Sequence, residues 1–216
     1  NREDLSDVIY NIAPDETPFM STIGKGKAKA TLHEWQVDSL SDPDEDNAQI
    51  EGDDVTTFDE ATPTDRIGNY CQISRKTVII SDTQEEVDKA GRKSEIAYQT
   101  ALRAKELKRD METIMLANKA AVAGATGTAR RSASIQAFLK TNTNFDATTG
   151  EDPVYTTVPT DARTDSSATR AFTEDLLKDV IQKVWTSGGN MDMLLVGAKN
   201  KQAASGFAGI AELRTD

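Results

Sequence analysis

The chain has 216 residues, 37% hydrophobic and 28% charged, with 25 Lys+Arg against 36 Asp+Glu for a net charge of −11. An apolar share below the globular norm of roughly 45–50% leaves much of the length extended or solvated, and no apolar run approaches the roughly 20 residues of a membrane-spanning helix. So anionic a chain is a poor general binder of nucleic acid, and one Cys (Cys71) with one His (His33) excludes an internal disulfide, Cys-rich zinc sites and multi-His metal sites.

Residues 1–30 read as an arm. Asp4 is placed to cap a short helix on which Leu5, Val8, Ile9 and Ile12 recur at helical spacing, with Pro14 and Pro18 stopping it. A helix that short needs a surface to lie on. Gly24-Lys25-Gly26-Lys27-Ala28-Lys29-Ala30 follows as a flexible basic strip, solvated or at an interface, and opposite in charge to the acidic stretch beyond it. Residues 31–38 alternate as a half-buried strand, with Leu32, Glu34, Gln36 and Asp38 on one side and His33, Trp35 and Val37 on the other. A second strand signal spans 67–80, through Ile67, Tyr70, Ile73 and Val78-Ile79-Ile80. Between them, from Asp42 to Asp65, stand ten acids and no Lys or Arg, with few apolar anchors beyond Ile50, Val55 and Phe58. Like charges extend such a segment. Residues 31–80 therefore read as an extended hairpin that owns no core.

Residues 83–120 read as helical, and beyond Gly124 one apolar island, Ile135, Phe138 and Leu139, reads as a short helix or turn. Thr83 with Glu86 has the form of a capping box, Gly91 ends that short helix, and Ser94 caps the next. No Gly or Pro interrupts Ser94 to Val122, and Ile96, Ala97, Ala104, Leu107, Met111, Ile114 and Met115 share one face. The spacing predicts a spine helix over 94–122, roughly 40 Å long at 1.5 Å per residue. Residues 141–170 are rich in Thr, Asp and Asn and read as a loop, linker or weak hairpin around Val154-Tyr155. Residues 171–216 read as part of an α/β unit. Thr173 caps a helix with Leu176, Leu177, Val180, Ile181, Val184 and Trp185 on one face, and Gly188-Gly189 ends it. Met193-Leu194-Leu195-Val196 has the composition of a central strand, and Ala198 to Phe207 that of a further helix. The fold class is α+β. The first residue is not Met and the last stretch closes no unit, so the sequence reads as a fragment or processed form.

No constellation points to catalysis. Asp42-Pro43-Asp44-Glu45-Asp46-Asn47 starts like an EF-hand loop, but Asn47 stands where Gly is required and Asp53 where Glu closes the site. A solvated acidic loop is the plainer reading. Gly124-Ala125-Thr126-Gly127-Thr128 lacks the Gly-Lys-Ser/Thr ending of a phosphate loop. His33 has no partner motif, Cys71 reads as a packing residue, and no feature separates the environments of paired acids as acid–base work requires. Catalytic, cofactor and metal residues are therefore expected to be none. The expected working residues are contacts between chains: Asp42, Asp44, Glu45 and Asp46 on the tip, facing Arg92, Lys93, Arg130 and Arg131 of a neighbour.

The order of parts resembles the major capsid proteins of tailed bacteriophages, the Hong Kong 97-type fold. The local sequence is also similar to one capsid family within it, through Asp15-Glu16-Thr17-Pro18-Phe19, Leu32-His33-Glu34-Trp35-Gln36, Asn69-Tyr70-Cys71-Gln72-Ile73, Lys89-Ala90-Gly91-Arg92-Lys93-Ser94-Glu95, Glu106-Leu107-Lys108-Arg109-Asp110-Met111-Glu112 and Leu176 through Gly189. The resemblance implies an N-arm over 1–30, an E-loop over 31–80, a P-domain with the spine helix over 81–140, and a partial A-domain over 171–216 that further strands complete. It implies no catalysis and no cofactor. It implies self-assembly into hexamers and pentamers of an icosahedral head that encloses double-stranded DNA in the virion, after synthesis in the host cytoplasm. The anionic wall would keep the DNA from sticking. Portal, scaffold or decoration proteins are further partners it allows, and a membrane is not one. The competing readings are an encapsulin-type compartment shell of the same fold, a calcium-binding adhesion module built on the acidic loop, and a hydrolase resting on His33 and the carboxylates.

Overall fold

The computed structural model describes residues 16–58, 60–87, 91, 93–146, 149–165 and 169–208. Among them the chain mixes helix and strand: α1 (Pro18–Thr22), β1 (Leu32–Val37), β2 (Asp65–Tyr70), α2 (Asp82–Glu86), α3 (Glu95–Leu116), a short 3-10 helix (Ile135–Phe138), α4 (Glu174–Thr186) and α5 (Ala198–Ser205). The arm helix expected over Leu5 to Ile12 lies outside the described residues. Pro18, expected as a stop, instead opens α1, where its fixed φ suits a first helical turn and its missing N–H costs nothing.

β1 and β2 pair antiparallel, with Leu32 opposite Tyr70 and Val37 opposite Asp65. On the His33–Trp35 face, the Trp35 ring lies 5.7 Å from Phe138, which meets Tyr155 edge-on at 6.0 Å. Tyr155 donates its hydroxyl to the Phe138 carbonyl (2.9 Å), and burial raises its pKa above the ordinary phenol value. The hairpin root thus leans on the 3-10 helix. β1 is more exposed than its alternation predicts, because among the described residues no third strand joins the sheet. The second strand also ends early. Cys71 N–H still bonds the Thr31 carbonyl (2.8 Å), but Val78-Ile79-Ile80 joins no ladder among the described residues, and Ile79 is almost fully exposed.

α3 is continuous over 22 residues, roughly 33 Å at 1.5 Å per residue. Ser94 caps it as expected, accepting from Ala97 N–H (3.2 Å). Glu85 of α2 adds a second cap, accepting from the N–H groups of Glu95 (2.9 Å) and Ile96 (3.3 Å). The expected Thr83–Glu86 box is replaced by Ser81, which accepts from Gln84 N–H. α3 stops at Leu116 rather than Val122, although no breaker stands there. The following backbone is engaged elsewhere: Lys119 N–H donates to the Ser134 hydroxyl (2.9 Å), Ala121 N–H to the Pro159 carbonyl (2.8 Å), and Val122 exchanges both bonds with Arg131. Tertiary hydrogen bonds override local helix propensity here. The apolar face of α3 is only partly covered. Leu107, Ile114 and Met115 are half-buried, Ile96 and Met111 are exposed, and Glu95 is the helix's one buried residue.

The buried centre lies at the hub beyond α3. It consists of Ala121, Ala133 and Ala137, ringed by Tyr70, Phe138 and Val158, with Ser134, Pro153 and Pro159 fully buried. Side chains that imitate backbone hold it in register. Asn69 donates from Nδ2 to the Ala133 carbonyl (3.1 Å) and accepts at Oδ1 from Ala133 N–H (2.8 Å). Asn118 does the same for Arg163, at 2.5 and 3.1 Å. Ser132 donates to the Tyr70 carbonyl, and Gln136 covers the Leu116 carbonyl at the end of α3. These bonds satisfy main-chain groups that no ladder serves.

Residues 122–131 and 151–164 close as weak hairpins through isolated bridges, the second around Val154-Tyr155. Thr126-Gly127 makes the first turn, with Gly127 at φ +81. α4 starts after Thr173, whose side chain makes no cap bond, and ends with Gly188 at φ +77. Met193 to Val196 forms no strand, and Met193, Leu194 and Leu195 are exposed. An apolar run makes a central strand only between ladder partners, and the described residues supply none.

Replacing Asn69 by Ala should lower stability by about 2–4 kcal/mol, because it strands two main-chain groups of buried Ala133. Urea denaturation reads this as a lower midpoint. An unchanged midpoint would mean that water replaces the amide at no cost.

Candidate assembly site

Residues 38–64 join the two strands and hold the expected acidic tip. Asp42, Asp44, Glu45 and Asp46 are all exposed. Among the described residues, Thr64 Oγ1 donates to Gln36 Oε1 (3.2 Å) at the loop's end, and local bonds shape the rest: Asp46 N–H to Asp44 Oδ1 (3.0 Å), Asp54 N–H to Asp53 Oδ1 (3.0 Å), and Asp53 N–H to the Ile50 carbonyl across a turn with Gly52 at φ +83. Glycine suits that third turn position because it alone reaches such a φ freely. Among the described residues the loop acids make no ion pair; the nearest, Arg66 to Glu34 at 4.0 Å, lies in the ladder. They also do not gather: no group of three His, Cys, Asp or Glu able to hold a cation occurs among the described residues. Leu40, Ile50, Val55 and Phe58 are 98%, 78%, 73% and 81% exposed. The loop therefore presents carboxylates interleaved with uncovered apolar side chains.

The four expected basic counterparts separate. Arg92 lies outside the described residues, and Lys93 is exposed. Arg130 donates from Nε to the Cys71 carbonyl (2.7 Å) and is half-buried in a shallow pocket with Ile73, Gly124, Ala125 and Thr128. Arg131 donates from Nε to the Ala120 carbonyl (3.2 Å). Both arginines thus serve the hub backbone within their own chain, and neither meets the acidic tip of that chain. His33 sits 6.0 Å from Trp35 as a ring neighbour. Cys71 is half-buried, its thiol directed at the Ala30 carbonyl.

Two polar attachments escaped the sequence reading. Glu112 accepts from the N–H groups of Phe19 (2.9 Å) and Met20 (2.8 Å), which pins the start of α1 to the last turns of α3. An acid near a helix C-terminus opposes the macrodipole. With the helix expected to run to Val122, the sequence carried no such signal of a partner elsewhere, because Glu112 then lay ten residues from the end. Asp179 of α4 bonds Lys183 (2.7 Å) and accepts from Asn144 Nδ2 (2.6 Å), while Lys183 also donates to the Thr143 carbonyl (3.0 Å). Arg170 clasps Asn144 from its other side. The Lys183 and Asn144 hydrogen bonds hold the Asp179 carboxyl below the usual carboxylate range. Its spacing to Lys183, acid four residues before the base, was legible as a helix pair.

The described helices include none long and apolar enough to cross a membrane. A family model described as the SU10 major capsid protein matches residues 1–216. A curated relative, the major capsid protein of Escherichia phage Phieco32, is 39% identical over 109 residues. That match covers 50% of this chain and 31% of the relative, so the chain spans about a third of the protein it matches.

Two outcomes follow from the attachments. Glu112→Ala should loosen α1 by about 1–2 kcal/mol, the usual value of a helix-cap bond, seen as faster proteolysis at Lys25 and Lys27; an unchanged cleavage rate would mean that side-chain packing alone holds α1. A carboxyl with a lowered folded pKa stabilises in full above its unfolded value near 3.9, and that contribution is lost as pH falls through the folded value. Acidification below about pH 4 should therefore lower the protection of α4 amides, measured as exchange relative to an unstructured peptide at the same pH. Asp179→Asn should remove that pH dependence, and an identical pH profile in the variant would assign it to other groups.

Proposed function

This chain belongs to the SU10 major capsid protein family, and from that premise we propose that it is the shell-building subunit of a tailed-phage head. One observation carries the reading beyond the family name. Among the described residues, large apolar side chains that the sequence provides stand outside any core. Ile79, Ile96, Trp185, Leu194 and the four apolar residues of the loop all stand uncovered or half-covered. Uncovered apolar area on this scale marks an interaction surface, and copies of the same chain are the partners that a shell supplies.

In this proposal the chain has the Hong Kong 97-type fold. Residues 1–30 are the N-arm, 31–80 the E-loop, 81–140 the P-domain with α3 as its spine, 141–170 a linker, and 171–216 part of the A-domain. The subunits form hexamers and pentamers that close into an icosahedral wall around double-stranded DNA. The subunit has a structural role without catalysis or cofactor, and its place is the virion. Portal, scaffold and decoration proteins are further partners in this reading. Asp42, Asp44, Glu45 and Asp46 make contacts between subunits. Lys93 and the guanidinium nitrogens that Arg130 and Arg131 leave free of main-chain bonds are their candidate counterparts, together with Arg92.

Electron microscopy of the purified full-length protein tests the proposal. Rings of five and six subunits and closed shells are expected. Monomer alone, across protein concentration and salt, would contradict it.

A further inference from the structure

A short loop of the hub holds α4. Three consecutive loop residues meet three side chains spaced four apart along α4 and its C-cap. Asn144 donates from Nδ2 to Asp179 Oδ2 (2.6 Å), the Thr143 carbonyl accepts from Lys183 Nζ (3.0 Å), and Asn142 Oδ1 accepts from Ser187 Oγ (3.0 Å). Residues four apart share one stripe of a helix, so the loop lies along that stripe in the reverse direction. Arg170, ahead of α4, adds bonds to Asn144 Oδ1 (2.9 Å) and to its carbonyl (2.7 Å). Apolar packing does not duplicate this tie. The closest packing between described elements joins β1 to β2, α1 and α2 to α3, and α3 to the 3-10 helix, and α4 is in none of these pairs. Pro18 of α1 borders Met193 and Leu194 beside α5 in an open apolar groove. Contact of that kind is non-directional, so it permits more than one orientation.

The two sides of the loop differ in strength. On the hub side, Thr143 Oγ1 donates to both Asp152 oxygens (3.2 Å), and Asp152 pairs with Arg163 (2.6 Å), whose side chain is 11% exposed. The Arg163 guanidinium lies over the Phe145 ring at 5.4 Å, and Asn118 holds the Arg163 main chain. Gly150 lets the loop close, since a Cβ there would fall 2.7 Å from the Phe145 ring. On the α4 side, Lys183 and Asp179 are 42% and 39% exposed, and ion pairs so open to water are worth little. A joint between a buried tie and an exposed one opens at the exposed one. The backbone points to the same side. Asn142 stands at φ 57, the one described non-glycine residue in the left-handed region. That conformation is uncommon outside glycine, and positions of this kind cluster at switch regions.

Beyond the loop, the α4–α5 unit closes on itself. The Phe172 ring, just before α4, lies 5.4 Å from Phe207, just after α5, and Gly189 N–H turns back to the Val184 carbonyl (2.9 Å). We infer that residues 142–144 are a latch that sets the orientation of α4 against the hub, and that its release turns α4 and α5 as one body and re-aims the exposed Ile181 and Trp185. The inference does not rest on the shell reading, because every group it uses lies in one chain.

Paired spin labels in the full-length protein test it, with Cys71→Ser removing the native thiol and excess unlabelled protein restricting each distance to one chain. Labels at Thr126→Cys and Gln182→Cys span the hub and α4. Labels at Gln182→Cys and Lys199→Cys lie within the α4–α5 unit. A variant carrying Arg170→Ala, Asp179→Ala, Lys183→Met and Ser187→Ala strips the latch with residues that helices accept well. It should widen the hub-to-α4 distance distribution roughly twofold, or shift its peak, and leave the distribution within the unit unchanged. Lys183→Arg alone, which keeps a donor, should leave both as they are in the unchanged protein. If the four-site variant changes neither distribution, something else orients α4 and the inference is overturned. If it widens both, the loop holds the fold of the unit rather than its direction, which overturns the inference equally. So would a Lys183→Arg protein as loose as the four-site variant.

Discussion

The Asn69 amide meets the Ala133 backbone as one strand of a ladder meets another, with a donor and an acceptor on each side. That contact ties β2 to the segment before the 3-10 helix, and through Ser134 and Lys119 to the end of α3. Among the described residues the hub buries three alanines and two prolines, small side chains that give little apolar packing to fix its geometry. Hydrogen bonds from Asn69, Asn118, Ser132, Ser134 and Gln136 do so instead. A main-chain group that is neither solvated nor laddered must find a side chain. Here those side chains decide where α3 stops and how the hairpin root sits.

Outside the hub the molecule leaves its interactions unfinished. Among the described residues the hairpin has two strands, the face of α3 is half-covered, and Met193 to Val196 reaches no sheet. Charge is unfinished in the same way, with acids crowded at one end of the hairpin and lysines at the other. A monomer would pay for such a surface with insolubility or disorder. In the proposed shell, neighbours that complete each face would turn the same surface into a driving force for assembly, because apolar burial is non-directional and accrues with each Å² covered.

Much of this was legible from residues. The alternation of Leu32 to Val37, Ser94 as a cap, the uninterrupted helix after it, the helix after Thr173 and the short one from Ala198 all stand where their patterns put them. The acidic stretch without a cation read as an exposed loop, and it is one. The misses share a cause. Val78-Ile79-Ile80 and Met193 to Val196 have strand composition, but a strand is defined by partners, and composition does not say whether partners are at hand. The end of α3 carries no breaker, because it is set by bonds to Ser134 and Pro159, far along the chain. Arg130 and Arg131 read as free charge, since nothing in sequence tells a surface guanidinium from one that closes on the carbonyls of Cys71 and Ala120. Glu112 and Asp179 hold the segments around them through partners 92 and 35 residues away, beyond any local pattern.

The central claim is that the side chains left bare in one subunit are covered by copies of the same chain. Hydroxyl-radical footprinting of free and assembled protein measures that coverage directly, residue by residue. The account predicts that Leu40, Ile50, Val55, Phe58, Ile79 and Trp185 are labelled strongly in the free subunit and lose most of that labelling on assembly, while the hub residues Tyr70 and Phe138 change little. Equal labelling of the first group in both states would contradict it.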